Sequence, residues 1–183
     1  EIFVALLERH GVRLSELPDG DLPMELMPYV QHIVMACKEY FNRVRPNLAA
    51  RVFGRTLHPL RAWTARTPSF PSGHAFSAFF AAATVYEVLD AARETLPSVA
   101  AVVWPGSPLV TALLRLAYDQ GDRRIIAGVH YPSDNYASAI LFNTIAPALL
   151  PRATAAGWRF PENAHERSVL CPSDGSSGYG MCR

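Results

Sequence analysis

This sequence has almost no net charge, only three cysteines, no strand-like alternation and no internal repeat. The 17 basic and 16 acidic residues leave a formal net charge of +1 across 183 residues. A protein that binds nucleic acid usually carries a strong positive field, so this class of partner is not expected. Apolar and polar residues do not alternate with a period of two in any convincing run, which argues against β-strands. Half of the residues are apolar and 18% are charged, a composition typical of a compact globular protein.

The basic residues are nevertheless unevenly distributed. One quarter of the chain holds a cluster of arginines: Arg43, Arg45, Arg51, Arg55, Arg61 and Arg66. Such a cluster usually forms a solvated surface, but it also fits a local site for an anion. Partner residues elsewhere in the chain are needed to decide between the two interpretations.

The length fits a single domain with its own buried core. We therefore predict one helical domain over residues 1–183, with residues 170–183 as a surface tail rich in glycine and serine. Of the three cysteines, Cys37 lies in an apolar helical pattern, as a buried thiol would. A disulfide between Cys171 and Cys182 would close a short loop, stabilise the fold by about 3 kcal/mol and imply an oxidising compartment. Two reduced surface thiols are the alternative.

No apolar segment is long and unbroken enough to be a clear membrane span. Residues 96–118 come nearest, but Pro97, the turn sequence PGSP at 105–108 and Arg115 interrupt them. We therefore expect a soluble protein with buried helices. No signal peptide is visible, and the sequence leaves open whether a signal or membrane segment preceded Glu1.

Apolar residues recur with the period of a helix in five segments. The predicted helices are 1–13, 24–44, 74–94, 108–120 and 132–150. Residues 46–73 contain four prolines and are predicted to be irregular, and the periodic pattern ends after Pro151. Because helices account for every periodic segment, the predicted fold class is all-α.

The sequence Pro-Ser-Gly-His at 71–74 directly precedes the strongest helix candidate. The first N–H groups of a helix have no intrahelical partners, and the helix dipole adds positive charge there, so a helix start can bind an anion. Gly73 would let the backbone approach a ligand, Ser72 could donate a hydroxyl group, and His74 could supply a proton. Taken alone the signal is weak, because a serine at this position is usually only a helix cap.

Two further segments add cations and a second histidine. Lys38 and Arg45 are seven residues apart, or two helical turns, so both side chains lie on one face of a helix. Arg124 precedes His130 by six residues, and Asp134 follows His130 by four. An aspartate placed there can accept the proton of one imidazole nitrogen and leave the other as a nucleophilic lone pair. Each segment alone also fits solvated cations or a surface histidine–aspartate pair.

In combination, the order Lys-x6-Arg-Pro, Pro-Ser-Gly-His and Arg-x5-His-x3-Asp resembles the three-part signature of the type-2 phosphatidic acid phosphatase and vanadium haloperoxidase superfamily. Within it, the chain is most similar to the bacterial class A non-specific acid phosphatases. The motifs span residues 38–134, about half of the chain. The resemblance implies the helical bundle of that superfamily and a metal-independent phosphatase that hydrolyses phosphate monoesters through a phosphohistidine. The sequence departs from the pattern at Arg123, where the family usually has a serine that supports the site.

The resemblance also implies two groups of site residues. The substrate phosphate would be bound by Lys38, Arg45, Ser72, Gly73 and Arg124. Catalysis would be carried out by His130 as the nucleophile, by Asp134 as the residue that orients it, and by His74 as the acid and base.

The shared residues leave other functions open. A vanadate-dependent haloperoxidase would use the same anion pocket, with vanadate as its cofactor bound to His130. A membrane-associated lipid phosphatase would use the same chemistry, although the interrupted apolar segments disfavour membrane association. A non-catalytic phosphate-binding module would keep the cations and would need neither His130 nor Asp134.

The phosphatase interpretation predicts no metal ion or other cofactor, since no carboxylate cluster suited to Mg²⁺ or Zn²⁺ is visible. The expected partner is a small phosphate ester, or a phosphate or vanadate anion. The expected location is the periplasm or the outside of the cell. The natural substrate, the effect of Arg123 and the formation of a homo-oligomer are left open.

Overall fold

A computed structural model describes residues 2–17, 26–60 and 66–163 of the chain. The predicted surface tail at 170–183 and the predicted pair Cys171 and Cys182 lie outside the described residues. The prediction of one domain over the whole chain therefore stays a prediction.

The all-α fold class is confirmed, since the described ranges contain helices and connections and no strand. The α-helices are α1 (Ile2–Arg9), α2 (Met27–Phe41), α3 (Pro46–Val52), α4 (Gly73–Ala92), α5 (Pro97–Ala100), α6 (Pro108–Ile126), α7 (Pro132–Leu149) and α8 (Pro151–Ala155). A short 3₁₀ helix follows α1 at Leu14–Glu16.

Proline begins many of these helices rather than ending them. It occupies the first helical position of α3, α5, α6, α7 and α8. Its ring presets the helical φ angle, and its missing N–H would have no intrahelical partner at that position anyway. The prediction that residues 46–73 are wholly irregular was therefore wrong at its start, where Pro46 opens α3. The same property places the first turn of α7 directly after His130.

Helix α4 forms the centre of the core. It packs against α2, α6, α7 and α8, and most of its side chains are buried. Its alanines let neighbouring helices approach closely, and its phenylalanines fill the space between them. Phe79 of α4 stacks on Phe160 with a centroid distance of 4.1 Å, and Phe142 of α7 packs edge-on against the same ring at 5.1 Å. This packing fixes the start of α4 relative to α7.

Among the described residues, α4 is the one helix that is long and apolar enough to cross a membrane. Within its most apolar stretch, 78% of the residues are buried against the rest of the protein. A central core helix of a globular protein meets the same criteria of length and composition. Here α4 serves as the centre of the core.

Helix α6 continues beyond its predicted end at residue 120 and reaches Ile126. The continuation includes Gly121, which is buried between α4 and α7. A β-carbon placed on Gly121 would lie 2.9 Å from Nδ2 of Asn135 and 3.1 Å from Cβ of Ala75. The glycine thus lets three helices approach one another closely, and it brings the last turn of α6, which carries Arg124, next to the start of α4.

Candidate active site

The three sequence motifs meet at the start of α4. The backbone N–H of Ser72, just before α4, donates to the carbonyl of Asp134 in α7 at 3.0 Å. The guanidinium of Arg45, in the connection between α2 and α3, donates to the carbonyl of Val129 at 2.8 Å. These bonds tie the first and second motifs to the third.

The residues predicted for the site lie close enough for their charges to act on one another. His74, in the first turn of α4, is influenced by the charges of Arg124, His130, Arg45 and Lys38. Most of the set is buried: Lys38, Arg45, Ser72, His130 and Asp134 are each at most 4% exposed. His74 is exposed, so its imidazole marks the mouth of the site.

His130 and Asp134 form a buried pair at the start of α7. Nδ1 of His130 lies 3.0 Å from Oδ2 of Asp134. The same carboxylate oxygen accepts a hydrogen bond from the backbone N–H of Tyr131 at 2.9 Å. The pair forms because Pro132 begins α7, which places Asp134 in the first turn and directs its carboxylate back to the residues before the helix.

Arg45 contacts the opposite side of the His130 ring. Its Nη1 lies 3.2 Å from Nε2 of His130, while its Nε donates to the carbonyl of Thr67 at 2.7 Å. A guanidinium carries donors and no acceptor, so Nε2 must be the acceptor of this contact. The hydrogen of the imidazole is therefore assigned to Nδ1, where Asp134 accepts it.

The environment keeps the His130 ring neutral. Burial lowers the pKa of His130, the hydrogen bond to Asp134 raises it, and the positive charges of Arg45 and Lys38 lower it, with a net shift downward. At neutral pH the ring therefore has a hydrogen on Nδ1 and a lone pair on Nε2. This is the form of histidine that can attack an electrophile or act as a metal ligand.

Lys38, in the last turn of α2, holds the loop that leads into α4. Its Nζ donates to the carbonyls of Pro68 at 2.7 Å, Ser69 at 3.3 Å and Pro71 at 2.6 Å. Burial, followed by the charge of Arg45, lowers the pKa of Lys38 to about 8. All three ammonium hydrogens thus have backbone partners, and Lys38 acts on the site through its charge and through the loop.

Ser72 caps α4 instead of lining an open surface. Its Oγ accepts a hydrogen bond from the backbone N–H of Ala75 at 3.4 Å, and the residue has no exposed surface. Its carbonyl accepts a hydrogen bond from the hydroxyl of Ser138 at 2.8 Å. The cap uses the Ser72 hydroxyl as an acceptor and leaves its hydrogen able to donate, so the expected phosphate contact of Ser72 stays a prediction. Ser72 shapes the helix start from which other groups could act.

Gly73 is the first residue of α4, and the packing around it does not by itself demand glycine. A β-carbon there would lie 3.6 Å from Cγ1 of Val34 and 3.8 Å from Cε of Lys38, which are ordinary contacts. Its role in the site follows from its position, since the backbone N–H groups of a first helical turn point out of the helix toward a ligand.

His74 is a neutral base in the substrate-free protein. Burial of part of its ring lowers its pKa to about 4, and the charges of Arg124, His130, Arg45 and Lys38 act in the same direction. An anion bound among those charges would offset them and raise the pKa of His74 again. The group is thus suited to take up a proton when an anion binds.

Arg124 and Arg123 occupy different environments in the last turn of α6. Arg124 is half-buried, and its charge acts on both His74 and Arg45. Arg123, which replaces the usual serine, is exposed. Adjacent helical residues are about 100° apart around the axis, so the second cation lies on the outer side of the turn and not among the other site residues.

Arg43 belongs to the site, although the motif spacing gave no reason to choose it. Its Nη1 lies 3.0 Å from Oδ1 of Asp134 and 2.7 Å from Oγ of Ser133. Its guanidinium carbon lies 4.2 Å from the centre of the Tyr131 ring and 5.8 Å from that of Phe70. The one available signal was the cluster of arginines around it, which is equally typical of a solvated surface.

Within the described ranges, no group of three or more His, Cys, Asp or Glu side chains could hold a metal ion.

A surface cavity lies apart from the site described above. It has a volume of about 380 Å³, lies near the end of α7 and includes Asn143, Trp158 and Glu162 in its lining. Helix α7 rises about 1.5 Å per residue, so Asn143 is roughly 13 Å along the helix from Asp134, about half of the helix length.

The sequence model of the PAP2 superfamily matches residues 26–154, more than two thirds of the chain. The matched range includes every residue of the site described above. Comparisons with curated proteins and with solved structures give no significant match. The family match agrees with the superfamily indicated by the three motifs and does not extend to the class A acid phosphatase subgroup. The chain therefore belongs to the PAP2 superfamily, whose members are phosphatases or related enzymes.

Proposed function

We propose that this protein is a metal-independent phosphatase that hydrolyses phosphate monoesters by transferring the phosphoryl group to His130. The observation that carries the proposal is the buried imidazole of His130 between Asp134, at 3.0 Å from Nδ1, and Arg45, at 3.2 Å from Nε2. This arrangement supplies a lone pair, a residue that fixes the tautomer, and a cation at the point of attack.

Positive charge would bind and neutralise the substrate. Arg45 and Arg124 would contact the non-bridging oxygens of the phosphate, with Lys38 adding its charge from behind the loop. The backbone N–H groups at Gly73 and at the following residue would add donors at the positive end of α4. Electrostatic stabilisation by fixed donors and cations is usually the largest catalytic contribution in such a site.

The first chemical step would form a phosphoenzyme. When phosphate binds, the N–H of Arg45 Nη1 would donate its hydrogen bond to a phosphate oxygen instead of to Nε2 of His130. The lone pair on Nε2 would then be free. Nε2 would then form a bond to phosphorus while the bond from phosphorus to the ester oxygen breaks. The departing alkoxide would take a proton from His74, and Asp134 would stabilise the positive charge on the imidazole.

The second step would reverse these roles with water. His74, now neutral, would remove a proton from a water molecule, whose oxygen would attack phosphorus. The bond between phosphorus and Nε2 would break, and inorganic phosphate would leave. No metal ion is needed for either step, because the arginines supply the charge that a metal would otherwise provide.

We extend the proposal to the class A non-specific acid phosphatase type on the strength of the three motifs. The corresponding location would be the periplasm or the exterior of the cell. The substrate would be a small phosphate ester, and inorganic phosphate or vanadate would bind to the same residues.

The direct test is release of inorganic phosphate from p-nitrophenyl phosphate in the presence of excess chelator. We expect full activity with chelator, inhibition by vanadate, and no turnover by His130→Ala. The control variant His32→Ala replaces an exposed histidine of α2 and should retain activity. Complete loss of activity with chelator would contradict the metal-free mechanism. Oxidation of bromide by peroxide after vanadate loading, without phosphate release, would favour a haloperoxidase instead.

A surface feature favours a second candidate, a membrane-associated lipid phosphatase. Large apolar side chains are exposed along α2, α3 and the segment after α3: Tyr40, Phe41, Val44, Leu48, Val52, Phe53 and Leu60. Residues 40–60 contain no acidic residue, and Arg51 and Arg55 are exposed among them. Exposed aromatic and apolar groups mixed with arginine suit the interface of an anionic membrane.

Vesicles distinguish this candidate from the first. We would measure phosphate release from a long-chain phosphatidic acid in vesicles and from p-nitrophenyl phosphate in solution. For a lipid phosphatase, Val52→Ser and Phe53→Ser should lower the activity on vesicles and leave the soluble activity unchanged. Equal activity of the variants and the parent protein on vesicles would eliminate the membrane role of this surface.

A further inference from the structure

The carboxylate of Asp134 is held at both oxygens. Oδ2 accepts hydrogen bonds from Nδ1 of His130 and from the backbone N–H of Tyr131. Oδ1 lies 3.0 Å from Nη1 of Arg43. Asp134 has no exposed surface, so its two oxygens depend on protein partners, and Arg43 is the partner of the oxygen that faces away from His130.

Arg43 is itself fixed in place on several sides. Its guanidinium lies over the Tyr131 ring and toward the Phe70 ring, at 4.2 Å and 5.8 Å from their centres. Its Nη1 also contacts the hydroxyl of Ser133 at 2.7 Å, and its carbonyl accepts a hydrogen bond from the N–H of Ser69 at 2.9 Å. The neighbouring aromatic rings and the hydrogen bond at the tip restrict the rotation of the guanidinium.

We infer that Arg43 is a positioning residue of the phosphoryl-transfer site, which fixes the plane of the Asp134 carboxylate so that Oδ2 stays in line with Nδ1 of His130. The inference rests on the proposed function of His130. A carboxylate held only at Oδ2 could rotate about its Cβ–Cγ bond and lose the alignment with the imidazole. With Oδ1 bound to Arg43, rotation in either direction breaks a charged hydrogen bond.

Charge reinforces the geometry. Burial acts to raise the pKa of Asp134, while the hydrogen bonds from His130 and Tyr131 and the charges of His130 and Arg43 lower it, with a net shift downward. Without Arg43 the carboxylate would be easier to protonate. A protonated Asp134 could donate to Nδ1 and would favour the tautomer with the hydrogen on Nε2, which has no lone pair for attack.

The test compares Arg43→Ala, Arg43→Gln and Arg43→Lys with the control Arg9→Ala, which replaces an exposed arginine of α1. We expect Arg43→Ala and Arg43→Gln to lower kcat by about tenfold or more, with little change in KM, because substrate phosphate does not contact Arg43. Arg43→Lys should recover part of kcat, and Arg9→Ala should match the parent protein. The acidic limb of the kcat profile should move to higher pH in Arg43→Ala. A kcat and acidic limb equal to those of the parent would overturn the inference.

A readout that needs no turnover separates this inference from the proposed function. The ¹⁵N chemical shifts of the His130 ring report which nitrogen carries the hydrogen. We expect hydrogen on Nδ1 in the parent protein and in Arg43→Lys, and a mixture of tautomers in Arg43→Ala. A purely structural role would lower the free energy of unfolding and leave the tautomer of the folded protein unchanged, which would refute the positioning role even if phosphatase activity were present. If the parent protein had no phosphatase activity, the proposed function would fail, but the tautomer of His130 would still test the role of Arg43.

If Arg43→Ala does not fold, Tyr131→Leu provides an independent variant. It removes the ring under the guanidinium and leaves both charges in place. A smaller shift of the tautomer in the same direction is expected, and an unchanged tautomer together with unchanged kcat would count against the inference.

Discussion

The guanidinium of Arg45 donates to Nε2 of His130 across 3.2 Å, on the side of the ring opposite to Asp134. Because a guanidinium has no lone pair, this contact requires His130 to accept at Nε2 and to carry its hydrogen at Nδ1. Arg45 is in turn fixed by the carbonyls of Val129 and Thr67. Backbone carbonyls from two segments of the chain thus hold Arg45 in place, and Arg45 determines the tautomer of the histidine. The predictions below follow from that arrangement.

Replacement of Asp134 by asparagine is expected to lower kcat by about 10³-fold or more with little change in KM. The amide has nearly the same shape, but its NH₂ group can donate to Nδ1 and would stabilise the tautomer with hydrogen on Nε2. Steady-state kinetics with p-nitrophenyl phosphate measure the effect. Glu8→Gln, on the surface of α1, is the matched control. A kcat for Asp134→Asn within a few-fold of the parent value would show that the pair does not orient the nucleophile.

The effect of His74→Ala should depend on the leaving group. An alkyl alcohol needs a proton as it departs, so its phosphate ester should lose about 10²–10⁴-fold in rate. p-Nitrophenolate departs without a proton, so the first step should survive and the phosphoenzyme should accumulate. A rapid-quench burst of p-nitrophenol, equal to the enzyme concentration, measures this accumulation. Equal losses in the rate of the first step for both substrates would argue against His74 as the acid.

The rate should be highest under acidic conditions. His74 has a pKa of about 4 in the substrate-free protein, and a phosphate monoester loses its second proton near pH 6. The productive complex needs one proton, carried either by His74 or by the substrate phosphate. Above about pH 6 neither the free enzyme nor the free substrate carries that proton. We therefore expect kcat/KM to fall about tenfold per pH unit above pH 6.

A second decline should follow at higher pH. Lys38, with a pKa of about 8, loses its charge there, so the fall in kcat/KM should steepen above that pH. Measurement of kcat/KM from pH 4.5 to pH 9 at constant ionic strength checks both slopes. A profile that is flat up to pH 8 would be incompatible with this assignment of the proton.

Stability should fall on acidification and recover when an anion binds. The pKa of His74 is lowered from 6.5 to about 4 in the folded protein. Between these values the unfolded chain binds a proton that the folded protein does not, so the free energy of unfolding falls as the pH drops through this window. The pKa of His130 is shifted in the same direction. Because His74 is exposed, its share of the effect is modest.

Urea unfolding between pH 4 and pH 7, with and without inorganic phosphate, measures this linkage. Phosphate should reduce the loss of stability, because it raises the pKa values of both histidines in the folded protein. His74→Ala should show a shallower pH dependence than the parent protein. An identical slope in the variant would mean that the His74 ring is not held neutral by its surroundings.

Much of the fold could be predicted from apolar periodicity alone. Predicted helices at 74–94 and 132–150 differ from α4 and α7 by at most two residues at each end, because long buried helices show the clearest periodic pattern. The error at Pro46 has a physical origin, since proline is equally suited to ending one helix and to starting the next. Sequence pattern at that residue does not distinguish between the two.

The site was predictable where the chemistry depends on spacing and unpredictable where it depends on three-dimensional contacts. His130 and Asp134 are one helical turn apart, so their contact follows from local geometry. Arg43 reaches Asp134 across 91 positions of the chain, and no local pattern encodes that contact. The cap formed by Ser72 was one of the two roles that its position suggested, and one hydroxyl can accept as a cap and also donate to a ligand.

The central claim is that phosphate is transferred to Nε2 of His130. The most direct test is to quench the reaction of His74→Ala with p-nitrophenyl phosphate and to locate the bound phosphate by ³¹P NMR and peptide mass spectrometry under alkaline conditions. We predict one phosphate on the peptide that contains His130, stable in alkali, labile in acid and absent from His130→Ala. Acid-stable phosphate that persists in His130→Ala, or steady turnover without any phosphoenzyme, would contradict the claim.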